Sequence, residues 1–162
     1  IINRLVNKLL IKLEEELSAI LGLEWEVEYS FDDNAFDGWY FCIFKKKWLR
    51  NEQALYDFGL RIEGKKLNGF YFYAIRNTDV MKKPLNAVNQ ALNEQYKKGR
   101  KAVSDWWQYV DHDYRNWTHD ETLVKLYRQE EMITYLIEQF IKIKTVIEPI
   151  IDEEVKKYSE IM

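Results

Sequence analysis

Four runs of β-type residues decide the fold: Glu24-Trp25-Glu26-Val27-Glu28-Tyr29, Gly38-Trp39-Tyr40-Phe41-Cys42-Ile43-Phe44, Tyr56-Asp57-Phe58-Gly59-Leu60-Arg61-Ile62-Glu63 and Gly69-Phe70-Tyr71-Phe72-Tyr73-Ala74-Ile75. The first alternates strictly, with Trp25, Val27 and Tyr29 on one side and Glu24, Glu26 and Glu28 on the other. Period-two alternation is the mark of a strand with one face buried and one wet. The connections are short. Phe31-Asp32-Asp33-Asn34 is rich in side chains that close turns, and Glu63-Gly64-Lys65-Lys66 offers Gly where a hairpin needs it. The middle connection, Lys45 to Ala54, is longer and basic. Short connections join antiparallel neighbours, so a four-stranded meander is expected, with helices packed on one face.

Helices flank this core in the sequence. Ile2, Leu5, Val6, Leu9, Leu13, Leu17 and Ile20 form one apolar stripe over residues 1–21, and Gly22 follows where a left-handed cap forms most easily. Pro84 suits the first turn of a second helix, with Leu85, Val88, Ala91 and Leu92 as its stripe and an end near Gly99. Residues 102–117 are dense in aromatics without a regular period, which reads as a short helix or packed loop. Thr118-His119-Asp120-Glu121 matches a capping box that opens a long C-terminal helix. Along it Leu126, Ile133, Phe140 and Ile147 recur every seven residues, followed by Leu136, Ile143 and Ile150. That stripe fits packing on the sheet and first helix, or a dimeric seam through Leu126, Ile133, Leu136, Phe140, Ile143 and Ile147. Pro149 should kink or break the helix just before it. The class is α+β, in one domain spanning residues 1–162. The start, Ile1-Ile2-Asn3, lies straight inside a helical repeat, as expected of a C-terminal fragment of a longer protein.

Six Trp and eleven Tyr against six Gly and two Pro argue for long elements around a bulky core. The single Cys42 excludes a disulfide framework and any Cys-based zinc site, and it fits a reducing cytoplasm. No run reaches the roughly 18 apolar residues of a membrane-spanning helix, so no membrane partner is expected.

Candidate chemistry is sparse. Glu63-Gly64-Lys65 has the E-x-K form of a metal-dependent nuclease, in which a carboxylate binds the metal and a lysine positions water. Asp57 or the turn acids Asp32, Asp33 and Asp37 would have to complete it, yet the motif is also the whole of a hairpin turn. Asp111-His112-Asp113 and His119-Asp120 gather two imidazoles and three carboxylates, but the histidines are seven apart, and this stretch leads into a capped helix. Ser18, Ser30, Ser104 and Ser159 lie in no nucleophile elbow, and no Gly-rich phosphate loop exists. No catalytic residue, metal ligand or cofactor is assigned.

Charge is more informative. Residues 1–44 carry three Lys/Arg and nine Asp/Glu, residues 45–101 fourteen and five, and residues 102–162 seven and thirteen. The basic middle includes Lys45-Lys46-Lys47-Trp48-Leu49-Arg50, Lys65-Lys66, Lys82-Lys83 and Lys97-Lys98-Gly99-Arg100-Lys101. Gathered on one rim, these would attract phosphates, with Trp48 free to stack on a base. The competing expectation is that the basic loops pair with the acidic helices of the same domain. Lys45, Lys46, Lys47, Trp48, Arg50, Lys65 and Lys66 are the candidate contacts with nucleic acid or a protein partner.

The Leu-rich helix running into Gly22-Leu23-Glu24-Trp25-Glu26-Val27, the aromatic strand ending in the basic turn Lys45 to Trp48, and Phe58-Gly59-Leu60-Arg61-Ile62-Glu63 with its aromatic partner strand together resemble the C-terminal region of bacterial PD-(D/E)XK nuclease-superfamily proteins. The likeness covers roughly residues 5–76 and carries over no active-site residue. It implies a non-catalytic accessory domain for target recognition or partner contact, with a nuclease core lying N-terminal to it. Two other readings stand beside it: a dimerisation domain acting through the C-terminal helix, and a self-contained nuclease using Asp57, Glu63 and Lys65.

Overall fold

Why the helix over residues 1–21 stops where it does is visible in the computed structural model. Helix α1 (Ile2–Leu21) buries Val6, Leu9, Leu10, Leu13 and Leu17 and ends at Gly22, whose φ of +85° suits glycine and whose N–H donates to Ser18 O at 3.0 Å. The structure describes residues 2–30, 39–63, 69–77, 86–102, 106–111, 113–114 and 120–161. After Gly22 the chain enters strands β1 (Trp25–Ser30) and β2 (Trp39–Lys45), a three-residue 3₁₀ turn at Lys46–Trp48, and a small hairpin of β3 (Leu49–Arg50) and β4 (Gln53–Ala54). Strands β5 (Tyr56–Glu63) and β6 (Gly69–Arg76) follow, then α2 (Asn86–Gln95), β7 (Arg100–Ala102), β8 (Trp106–Tyr109), α3 (Asp120–Tyr127) and α4 (Glu130–Ile161).

The expected meander is present as β1-β2-β5-β6, antiparallel throughout, but the sheet has six strands in the order β1-β2-β5-β6-β8-β7. The two extra strands come from a segment whose aromatics have no long alternation. β8 is only four residues, yet Phe72 faces Tyr109 and Ala74 faces Trp107 across it, so packing on β6 defines a strand that local pattern does not.

Register sorts the side chains into two faces. Trp25, Phe41, Ile43, Phe58, Leu60, Phe70, Phe72, Ala74 and Trp107 share the buried face, and every hydrogen bond, ion pair or ring contact described between the helices and the sheet goes to this side. Phe140 of α4 stacks on Phe41 at 5.5 Å and meets Phe72 edge-on at 5.7 Å. Residues of α4 close over the sheet from Met132 to Val155.

Two expectations for the last helix change. The helix begun at the capping box is divided: α3 and α4 are separated at Arg128–Gln129, where Gln129 takes a φ of +24° and its side-chain amide donates to Leu5 O of α1 at 3.2 Å. Pro149, by contrast, lies inside α4 and does not break it. Ile143, Ile147, Ile151 and Val155 are buried on both sides of it, and Glu148 with Asp152 is tied to β2, so tertiary packing outweighs the lost backbone bond. No described helix is long and apolar enough to cross a membrane.

Candidate binding face

The basic turn after β2 is a structural joint. Lys45 is buried, and its Nζ lies 2.7 Å from both Glu148 Oε1 and Asp152 Oδ2 of α4. Trp48 has no exposed surface and donates its indole N–H to Asp152 Oδ1 at 2.8 Å. Lys47 reaches the same carboxylate at 3.2 Å, Lys46 stands 3.8 Å from Glu26, and the Arg50 guanidinium donates to the carbonyls of Lys47 and Leu49. Burial would push the carboxyls of Glu148 and Asp152 up, but the hydrogen bonds they accept from Lys45 and its neighbours hold them below the usual carboxylate range. The expectation that Trp48 stacks on a base and that Lys45 contacts a ligand is therefore corrected: both are consumed by α4, because a cation beside an apolar sheet must find carboxylates within the fold. Lys65 and Lys66 lie outside the described residues.

The dimeric seam is corrected for the same reason. Leu126, Ile133, Leu136, Phe140, Ile143 and Ile147 are all buried in the chain's own core. The nuclease reading also loses its geometry. Asp57 and Glu63 project from the same side of one strand, six residues and so about 20 Å apart along it, too far to share a metal ion. Among the described residues no group of three or more His, Cys, Asp or Glu could hold a metal. Asp111 instead accepts the Tyr135 hydroxyl at 2.6 Å and the Asp113 N–H at 3.0 Å, while His112, His119 and the turn acids Asp32, Asp33 and Asp37 lie outside the described residues.

What the sequence reading missed is the second face of the sheet. Alternate residues of β5, Asp57, Gly59, Arg61 and Glu63, point away from the core, beside Tyr71, Tyr73 and Ile75 of β6, Trp106 and Gln108 of β8, and Lys101 of β7. The Tyr73 hydroxyl donates to Asp57 Oδ1 at 2.7 Å and the Tyr71 hydroxyl to Glu63 Oε1 at 2.6 Å. The Arg61 guanidinium lies 5.0 Å above the Tyr73 ring, and Lys101 Nζ 5.8 Å from that of Trp106. Burial pushes the Asp57 carboxyl up to about 6, against the opposing pull of Tyr73 and Arg61, and pushes the Tyr71 phenol up to about 12. Gly59 is obligatory here, since a Cβ would come within 1.8 Å of Phe41 O.

This face is electrically divided. Toward β1 and β2 a cleft of about 470 Å³ is lined by Glu26, Glu28, Glu52 and Asp57. Toward β8 a hollow of about 250 Å³ is lined by Arg61, Glu63, Tyr71, Tyr73, Trp106 and Gln108. Beyond it runs the edge strand β7, whose three residues are exposed, preceded by exposed Lys97 and Lys98. Among the described residues of this face no nucleophile is paired with a base; the arrangement holds rings, amides and charges at fixed spacing on the sheet. The alternation Tyr56 to Glu63 carried a signal for this face, but Trp106 and Lys101 sit in the stretch whose strands sequence pattern did not reveal. In comparisons with known proteins, no family model, no curated protein and no solved structure matches this chain.

Proposed function

We propose that the chain is a non-catalytic recognition domain that takes a single strand of nucleic acid across the β6-β8-β7 side of the sheet face turned away from the helical core. The observation that carries this is the basic–aromatic grouping of Arg61, Trp106 and Lys101 around the hollow, with exposed Lys97 and Lys98 in the chain leading into the edge strand β7. Single strands bind where cations follow the backbone and rings accept the bases. The acidic cleft on the β1-β2 side repels phosphates and so confines the strand to the other half. The reading agrees with the accessory role implied by the resemblance to nuclease-superfamily proteins, and it moves the contact surface from the basic turn to the sheet.

The test is binding of a mixed-sequence single-stranded oligonucleotide across a salt titration. Affinity should fall linearly with the logarithm of salt concentration. Lys98→Ala and Lys101→Ala should each reduce that slope by about 0.7, whereas Lys46→Ala should leave it unchanged. Absence of binding at low salt, or loss of slope with Lys46→Ala alone, would overturn it.

A further inference from the structure

We infer that the hollow beside Trp106 is a base-reading pocket selective for guanine; this rests on the nucleic-acid reading above and sharpens it. Arg61 and Glu63 are alternate residues on one side of β5, so they rise from the sheet about 7 Å apart. One offers only donors and the other only acceptors. A planar ligand that satisfies both must present two acceptors beside two donors. Guanine does, with O6 and N7 along one edge and N1–H and the 2-amino group along the next. Adenine, cytosine and thymine have no pair of adjacent donors.

The surroundings restrict the ligand further. Tyr71 donates its hydroxyl to Glu63 Oε1, which orients the carboxylate and leaves one lone pair on Oε1 and both on Oε2 for the two donors of a base. Arg61 is laid over the Tyr73 ring, so its fork is held in one plane before any ligand arrives. The Arg61 Nε–H is buried and has no hydrogen-bond partner among the described residues. Trp106 supplies a wall on which a base can stack, Lys101 lies over that same indole within reach of a flanking phosphate, and Gln108 adds an amide at the floor.

The experiment compares short oligothymidylates that carry one central guanine, hypoxanthine, adenine or cytosine, by fluorescence anisotropy at fixed low salt. The guanine oligonucleotide should bind about tenfold or more tightly than the adenine and cytosine ones. Hypoxanthine, which lacks the 2-amino donor, should lose most of that advantage. Glu63→Gln keeps the size of this exposed side chain but replaces one acceptor oxygen with a donor, so it should bring the guanine preference, read as the ratio of guanine to plain oligothymidylate affinity within the same variant, below about threefold. Equal, salt-sensitive binding of all four oligonucleotides would overturn guanine selectivity and leave the broader reading standing. A preference that survives Glu63→Gln would overturn the assignment of guanine reading to this pocket. No binding of any of them at low salt would remove both.

Discussion

Replacing Asp152 with alanine should cost about 3 kcal/mol of folding stability, and the structure shows where the loss arises. Asp152 accepts from Lys45 Nζ at 2.7 Å and from the Trp48 indole at 2.8 Å, and Lys47 approaches at 3.2 Å. Hydrogen bonds to a charged group contribute about 1.5–3 kcal/mol each, and a buried donor left without an acceptor costs about 1–3 kcal/mol. Trp48 would be such a donor, because its side chain has no exposed surface. Lys45 would keep Glu148 at 2.7 Å, and the Asp152 side chain is 25% exposed, so the full cost of breaking a buried ion pair is not reached. Asp152→Asn, which retains an acceptor for the indole, should lose about half as much. The assay is urea denaturation followed by tryptophan fluorescence. Acid adds an independent check. The folded carboxyls of Asp152 and Glu148 are held below their ordinary values, so their contribution is complete above that range and disappears as pH falls through the depressed values. The wild type should therefore lose more stability on acidification than Asp152→Ala. A loss below about 1 kcal/mol for Asp152→Ala at neutral pH, with parallel acid curves, would refute the reasoning.

Asp57 should behave in the opposite sense. Its folded carboxyl lies near 6 against an ordinary 3.8, so the fold favours the proton, and stability declines as pH rises from about 4 to about 6. Asp57→Asn keeps an acceptor for Tyr73 without the charge and should be more stable than wild type at pH 7 by up to about 3 kcal/mol, with the gain gone near pH 3; identical pH profiles for the two proteins would sink the idea. Gly59→Ala forces a methyl onto the Phe41 carbonyl and should destabilise by more than about 4 kcal/mol. Denaturant titration checks this, and a change under about 1 kcal/mol would mean the strand can shift at no cost.

The parts of the fold that were legible in the sequence are those with a long local period. Trp25 to Tyr29 and Tyr56 to Glu63 announce half-buried strands, and both are present in the expected antiparallel order. Gly22 announced the end of α1. The break at Gln129 and the continuity through Pro149 were not legible, because each is set by contacts with residues more than a hundred positions away, Leu5 and Lys45 respectively. The basic turn misled for a similar reason. A run of lysines has the same sequence whether it faces water or the carboxylates of α4, and only the docking of Asp152 decides. The face turned away from the core was half legible. Alternation placed Asp57, Arg61 and Glu63 on one side, but the partners that make a hollow of them arrive on β8, a strand defined by its neighbour more than by its own residues.

The way α4 closes the sheet has a consequence for how the chain is made. Its ties to the strands join residues 107, 104 and 98 positions apart, through Lys45, Trp48 and Tyr56. Synthesis runs from the N-terminus, so all six strands leave the ribosome before the helix that covers them. From Tyr109 to Val155 takes roughly 2–10 seconds at ordinary elongation rates. During that interval Phe41 and Phe72 lack the Phe140 ring of α4 that packs on both, and the nascent sheet is a surface for chaperones or for aggregation. Loss of the last thirty or so residues to a premature stop would make that interval permanent.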